Sequence, residues 1–339
     1  MPSANHRLAF ERPIYDLESR IADAEAAARE NPEARDELRK LRRELVETTK
    51  RIFGNLSPWE TVEVARHPDR PMTTDYLDLI FDEFVELHGD KSFGDDRALR
   101  TGFAKLDQYK VMVVGHQKGR TVKERSICHF GCVHPEGYRK AIAKMQLAAK
   151  FGRPVIALID TPGAYPGVEA EERGQSQVIA ESMFEMSQLP TPIICVVIGE
   201  GGSGGALGIG VGDRVAVLEH AYYSVISPEG CAGILWKSHN HKEEAAAALR
   251  LTSRDLLKLG VIDAVVEEPL GGAHRDHPRM AARLKSFLVK TLRELAPQPT
   301  EKLLATRYEK YRRMGVFLEG GVLQGTSIGA SNGEAVGRD

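Results

Sequence analysis

The stretch Gly199 to Gly212, GEGGSGGALGIGVG, follows directly on the apolar run Ile193 to Ile198, and it constrains the fold more than any other segment. Glycine loses more conformational freedom on folding than any other residue. Such density is therefore expected where backbone must turn sharply or lie close to another chain segment or a ligand. A strand that runs into glycines and then into a helix leaves N–H groups free at the positive helix end, suited to an anion or a developing oxyanion. The same letters also suit a tight strand-to-helix crossing with no chemistry.

Three chemical readings compete for this segment. Gly199, Gly201 and Gly204 spell GxGxxG, with Glu219 about 20 residues on, as a dinucleotide-binding unit requires. Against it, the helix available between Gly204 and Gly212 is short and interrupted by glycine. Gly201 to Gly205 also spells GxSxG around Ser203, and Asp263 followed by His274 or His277 has the order of a serine hydrolase. No HGGG-type stretch upstream supplies its second oxyanion donor. A phosphate loop is excluded, because no Gly-Lys-Ser or Gly-Lys-Thr follows the glycines.

The third reading needs no side-chain nucleophile. Gly201 and Gly202 lead the backbone into a turn, the amides of Gly204 and Gly205 donate to an enolate oxygen, and small Ala206, Gly208 and Gly210 let the helix lie close to its neighbours. A second strand end, IDTPGAYPG at Ile159 to Gly167, offers a matching turn through Gly163, Ala164 and Tyr165, with prolines fixing φ.

Elsewhere the chain reads as an α/β layer fold. Residues 14–53 carry a helical hairpin broken at Asn31-Pro32-Glu33, and Ser57-Pro58-Trp59-Glu60 is a capping box. A helix is predicted from Thr74 to Leu87. Short β-branched runs at 110–115, 155–160, 193–199, 215–219 and 261–267 read as buried strands. Helices are expected at 136–151, 170–189, 243–259 closed by Gly260, and 279–295. The organisation is a helical region over 1–100, a central domain over 101–300, and an extension over 301–339 with a flexible Gly-rich tail from Gly315.

Forty-six Lys and Arg against 48 Asp and Glu leave a net charge of -2, so nothing drives the whole chain toward nucleic acid or an anionic membrane. The start lacks a secretory pattern and no apolar run reaches the roughly 20 residues that span a bilayer, which leads us to expect a cytoplasmic protein. The four cysteines, Cys128, Cys132, Cys195 and Cys231, include no CxxC pair and read as reduced thiols. Cys128 and Cys132 with His129 and His134 lack a second cluster to complete a tetrahedral set, so no metal is expected on this chain.

A series of longer motifs narrows the function. GHQKGR at Gly115 to Arg120, PEGYRKA at Pro135 to Ala141, IDTPGAYPG, AEERGQS at Ala170 to Ser176, VIGEGGSGGALGIGVGD at Val197 to Asp213, YSVISPEGCAGILWKS at Tyr223 to Ser238 and EPLGGAHR at Glu268 to Arg275 occur in that order. Together they resemble the α subunits of bacterial acetyl-coenzyme A carboxylase carboxyltransferases, from about Ile14 to Tyr311.

The resemblance implies a crotonase-like fold, a β-spiral core of ββα units, and an α2β2 assembly with a carboxyltransferase β subunit. It implies transfer of a carboxyl group from carboxybiotin, borne on a separate biotin carboxyl carrier protein charged by biotin carboxylase, to acetyl-coenzyme A, giving malonyl-coenzyme A for fatty acid synthesis. Gly204 and Gly205 match the pair that steadies the biotin enolate in this family, with Gly163 and Ala164 shaping the opposite wall. Lys118 and Arg120 belong to a basic cluster suited to coenzyme A phosphates, a partner's surface or plain solvation. Glu200 is expected to point away from the loop and anchor backbone amides, and His116 to orient a loop by hydrogen bonding. The chain carries no biotinylation sequence, ATP-binding signature or zinc ribbon, so activity is expected only with its partner. A noncatalytic scaffold is the rival outside enzymes; an acyl-coenzyme A hydratase is disfavoured by the lack of a well-placed glutamate pair.

Overall fold

The computed structural model describes residues 6–27, 32–319 and 322–325. Helices α1 (Arg12–Ala27) and α2 (Pro32–Gly54) form the expected hairpin, closed by Leu17, Ile21, Leu38, Leu41 and Leu45, while Asn31 at the predicted break lies outside the described residues. At the start of α3 (Pro58–Ala65) the capping box is complete: Glu60 N–H donates to Ser57 Oγ at 3.2 Å and Ser57 N–H to the Glu60 carboxylate at 2.7 Å.

The next helix, α4 (Thr73–Ile80), stops well before Leu87. Residues Glu83–Glu86 leave it as strand β1, paired antiparallel with β2 (Leu99–Leu106), and Asp82 N–H already donates to Lys105 O. Alternation in EFVE, with Phe84 turned inward against Ala104, fits a sheet edge better than another helical turn, so tertiary pairing overrides the local period.

Alternation of strands and helices then sets in. Strand β3 (Tyr109–His116), helices α5 (Val122–Ile127) and α6 (Pro135–Lys150), and strand β4 (Val155–Thr161) come first. Helix α7 (Val168–Glu172) is divided from α8 (Gln175–Gln188) at Gly174, whose φ of +81° interrupts the single helix expected over 170–189. Strand β5 (Ile193–Gly202), helix α9 (Ser203–Leu207) and strands β6 (Arg214–Leu218) and β7 (Tyr222–Ser224) come next, then helix α10 (Pro228–Trp236). Helices α11 (Lys242–Leu249) and α12 (Ser253–Lys258) replace the one helix expected over 243–259, because Arg250 turns left-handed and Thr252 caps a new start. Gly260 closes α12 as predicted, with its N–H on Leu257 O and the Val261 N–H on Leu256 O.

The sheet order is β1-β2-β3-β4-β5-β6-β8, where β8 is Ala264–Val266; the first three strands are antiparallel and the rest parallel. Parallel strands covered on both faces require apolar residues throughout, and β4 is buried along its whole length. Strand β5 serves two layers. Its first half pairs with β6 from Ile194 to Val197, and its last residues, Glu200 to Gly202, pair instead with β7. Between Ile159 and Thr161 the β4–β5 register shifts, so β5 carries extra residues just where the two strands end.

Helix α13 (His277–Leu295) covers the sheet as expected. Beyond α13 the chain departs from the expected polar segment, while most of the flexible tail expected from Gly315 lies outside the described residues. Thr300–Arg312 is a helix, α14, and β9 (Val316–Glu319) pairs antiparallel with β10 (Val322–Gly325) at the head of the Gly-rich tail. Apolar residues in VFLE and VLQG suit that ladder. Helix α14 is anchored by Arg307, fully buried, which donates to the carbonyls of Met186 (2.7 Å), Leu189 (2.9 Å) and Thr191 (2.8 Å) and twice to Asp213 (2.8 and 2.7 Å).

Removing one partner of a buried ion pair strands the other. We expect Arg307→Ala to lower unfolding free energy by about 3–5 kcal/mol, measured by urea denaturation at pH 7; a loss below about 1 kcal/mol, the scale of a surface pair, would contradict the anchoring role.

Candidate active site

The loops after β4 and β5 lie side by side at the carboxyl ends of parallel strands, where α/β sheets usually hold ligands. Their contact is backbone on backbone. A Cβ at Gly202 would stand 2.1 Å from Pro162 O, and one at Gly205 would stand 2.4 Å from the Gly163 carbonyl carbon and 2.5 Å from Ala164 N. No side chain fits at either position. Gly204 differs: its nearest neighbour would be Ile179 at 3.8 Å, so glycine there is not demanded by space. Ser203 takes φ +50°, the left-handed region a non-glycine residue seldom adopts, and this turns the chain from β5 into α9.

Helix α9 presents the N–H groups of Gly204 and Gly205 in its first turn, where a helix has no acceptor of its own. The other side of the turn is clamped. Tyr138, fully buried, donates its hydroxyl to Gly205 O at 3.0 Å, and Ser182 Oγ donates to Gly208 O at 2.5 Å. With those carbonyls held from below, α9 has little freedom to rotate. In the facing loop Thr161 Oγ1 donates to Gly163 O (2.7 Å) and accepts the Gly163 N–H (3.1 Å).

Beneath the loops a charge cluster ties the strand ends together. Lys118 Nζ stands 2.6 Å from both Asp160 Oδ1 and Glu200 Oε1. Arg66 Nε and the Tyr222 hydroxyl donate to Glu200 Oε2 at 2.7 and 2.6 Å, and Arg66 Nη1 donates to Glu229 Oε1 at 2.6 Å. Asp160 Oδ1 also accepts the Glu200 N–H at 2.9 Å, an approach open only because Gly199 has no side chain: a Cβ there would lie 2.5 Å from the same oxygen. Burial favours the neutral acid at Glu200, but Lys118 and then Arg66 outweigh it and hold the carboxyl down at about 2. The Asp160 N–H donates to His116 Nδ1 at 3.4 Å, and burial followed by Lys118 pushes this imidazole down to about 3, so it is neutral.

The structure therefore brings Gly163, Ala164, Gly201, Gly202, Gly204 and Gly205 together and stacks Tyr165 nearby on His134, with ring centroids 3.9 Å apart. Lys118 reads differently from a ligand of coenzyme A phosphates: its ammonium is already met by two carboxylates. Arg120 is half-exposed and paired with Asp75. Glu200 does turn from the loop, though it anchors cations and a phenol instead of backbone amides. Sequence reading passed over Arg66, Tyr138, Asp160 and Tyr222: Asp160, near the end of β4, and Tyr138, in α6, lie within matched motifs, whereas Arg66 follows α3 and Tyr222 opens β7, both outside those motifs. The serine-hydrolase triad is not assembled. Asp263 accepts the Val215 N–H near the start of β6, His274 lies against Glu11, and Ser203 begins α9 at the opposite end of β5.

Comparison with known proteins places this geometry in context. Residues 7–315 match the family described as acetyl co-enzyme A carboxylase carboxyltransferase-like. The chain is 67% identical over 312 residues to the acetyl-coenzyme A carboxylase carboxyl transferase subunit alpha of Rhodopirellula baltica, covering 92% of this chain and 98% of that one. To the same subunit of Methylococcus capsulatus it is 55% identical over 313 residues, again covering 92% and 98%. Among solved structures it resembles transcarboxylase 12S (TM-score 0.52, 23% identity, 65% of this chain and 42% of that longer one). It also resembles a Pseudomonas malonate decarboxylase hetero-tetramer in complex with coenzyme A (TM-score 0.52, 20% identity, 63% and 86%). Those likenesses show the fold, and it is the crotonase-like one expected.

Because Glu200 is held below its unfolded value of 4.5, its ionised form stabilises the fold above that value, and this contribution is lost as pH falls toward about 2. Thermal midpoints of the wild type and Glu200→Gln are expected to differ most at pH 6–7, to draw together as pH falls below about 4.5, and to converge only near pH 2. A gap that stays constant down to pH 3 would contradict this account of the cluster.

Proposed function

The chain belongs to the acetyl co-enzyme A carboxylase carboxyltransferase-like family, and from that premise we propose how its two loops share in the reaction. Its activity is that of the carboxyltransferase α subunit of acetyl-coenzyme A carboxylase, an enzyme built from several subunits. Carboxybiotin on a carrier protein supplies the carboxyl group, and the acceptor is the thioester acetyl-coenzyme A. The α chain's own part is electrostatic.

The Gly204 and Gly205 amides donate to the oxygen that gains negative charge when the biotin side of the reaction gives up its carboxyl group. These donors are fixed before reaction, since Tyr138 holds Gly205 O and the Gly163–Ala164 peptide blocks any retreat of Gly205. Gly201 and Gly202 set the entry of the loop, while Gly163, Ala164 and Tyr165 form its wall. Lys118 acts inside the chain, locking the two strand ends, and contributes position instead of contact with substrate. Completion of the site, and recognition of coenzyme A, fall to the β subunit in an α2β2 assembly that works with the biotin carboxyl carrier protein and biotin carboxylase. A cytoplasmic setting agrees with the fact that no helix among the described residues is long and apolar enough to cross a membrane. The observation that carries the reading is the backbone contact between the two loops beside an amide pair at a helix start.

Malonyl-coenzyme A decarboxylation in the presence of biocytin, with this chain and its β partner mixed, tests the assignment. In Gly205→Ala the new methyl must displace the Gly163–Ala164 peptide, and we expect kcat to fall about 100- to 1000-fold, the scale for losing one oxyanion donor, with the complex still formed. Gly204→Ala keeps its amide and meets no close neighbour, so it should lose far less. Ser203→Ala should retain activity. Wild-type kcat in Gly205→Ala, or abolition of activity by Ser203→Ala, would overturn the reading.

A further inference from the structure

The geometry points to a binding site for a divalent transition-metal ion of the zinc class, formed by Asp96, His129 and His134. One ligand atom from each residue lies within 4.8 Å of the other two. Asp96 is 3% exposed and His134 6%. Among the described residues neither imidazole has a hydrogen-bond partner, and His134 Nδ1 stands 3.9 Å from Asp96 Oδ2, beyond hydrogen-bond reach. His134 Nδ1 thus faces the Asp96 carboxylate across a gap that no hydrogen bond closes.

The surroundings prepare the three groups for coordination. Asp96 accepts the Ala98 N–H on Oδ1 (2.8 Å) and the His134 N–H on Oδ2 (2.7 Å), which fixes the carboxylate and leaves each oxygen a further lone pair. Tyr165 stacks on His134 at 3.9 Å and 22°, fixing that ring's plane. His129 is swung over His134, with centroids 4.2 Å apart, by three successive left-handed residues, His129 (φ +47°), Phe130 (φ +56°) and Gly131 (φ +89°). Two imidazoles that close repel one another if both are protonated, whereas both coordinate metal in the neutral form. Ligands about 2.0 to 2.2 Å from a zinc ion end roughly 3.4 Å apart, so the present 3.9 Å closes with a small side-chain rotation.

Two histidines and one carboxylate make a three-ligand set with an open position for water. This differs from the sequence expectation of no metal, which rests on Cys128 and Cys132; the carboxylate comes from Asp96, more than 30 residues upstream of His129. An ion here would tie the segment before β2 and the loop after α5 to the start of α6, with Tyr165 of the active-site wall resting on one of its ligands.

The test uses the full chain, free of any polyhistidine tag and stripped with chelator, titrated with Co2+ and followed by visible absorption, then competed with Zn2+. One equivalent of Co2+ is expected, displaced by Zn2+. His129→Ala should weaken binding by more than the roughly 10- to 100-fold that outer-shell changes alone produce, while Cys132→Ser leaves it unchanged. Near-ultraviolet circular dichroism confirms that both variants keep the fold. No uptake by the wild type would mean that Asp96 and His134 form only a loose ion pair. Equal binding by His129→Ala, or loss of binding in Cys132→Ser, would place the ion on other ligands; each of these results overturns the proposal.

Discussion

The site depends on two stretches of main chain brought so close that no side chain can stand between them. Gly202 and Gly205 rest on the carbonyl and amide groups of Pro162 to Ala164, and both strands deliver their loops at the same height because Asp160 and Glu200 are bound to one ammonium. Main-chain donors set this way have no rotamers to order, so their orientation costs nothing when charge develops. A side-chain donor would first have to be immobilised, at roughly 0.5–1.5 kcal/mol for a flexible group.

Burying a lysine, an arginine and two carboxylates under the loops is an expensive way to hold strands together, since apolar side chains of similar volume often do as well or better. What charge adds is direction. The Glu200 carboxylate satisfies Lys118, Arg66 and Tyr222 in one geometry only, and the Asp160 carboxylate fits over Gly199 only where β5 bulges. The register shift between Ile159 and Thr161 thus has a purpose: it turns Asp160 across the neighbouring strand while both loops stay in contact.

Much of this was legible beforehand. Five parallel strands announced themselves as apolar runs, the capping box at Ser57 was explicit, and the glycines after β5 marked the place of closest approach. Errors cluster where long-range contacts decide. EFVE became an edge strand because β2 was there to pair with it, and Gly174 and Arg250 broke helices whose apolar periods run on regardless. Lys118 looked like a ligand-binding cation because a sequence shows charge without showing the two acids that surround it in space. Asp96 carried no signal at all, being near His129 and His134 only after folding.

Arg307 has a consequence for how the protein is made. It closes over the carbonyls of Met186, Leu189 and Thr191, the turn that launches β5, from a position 116 residues further along than the last of these. A nascent chain emerging from the ribosome therefore carries an unlocked β5, and the glycine loop at its end, until α14 has been synthesised. The late arrival of one guanidinium makes the ordering of the glycine loop wait on a helix synthesised more than a hundred residues after it, with chaperone protection most valuable in that interval.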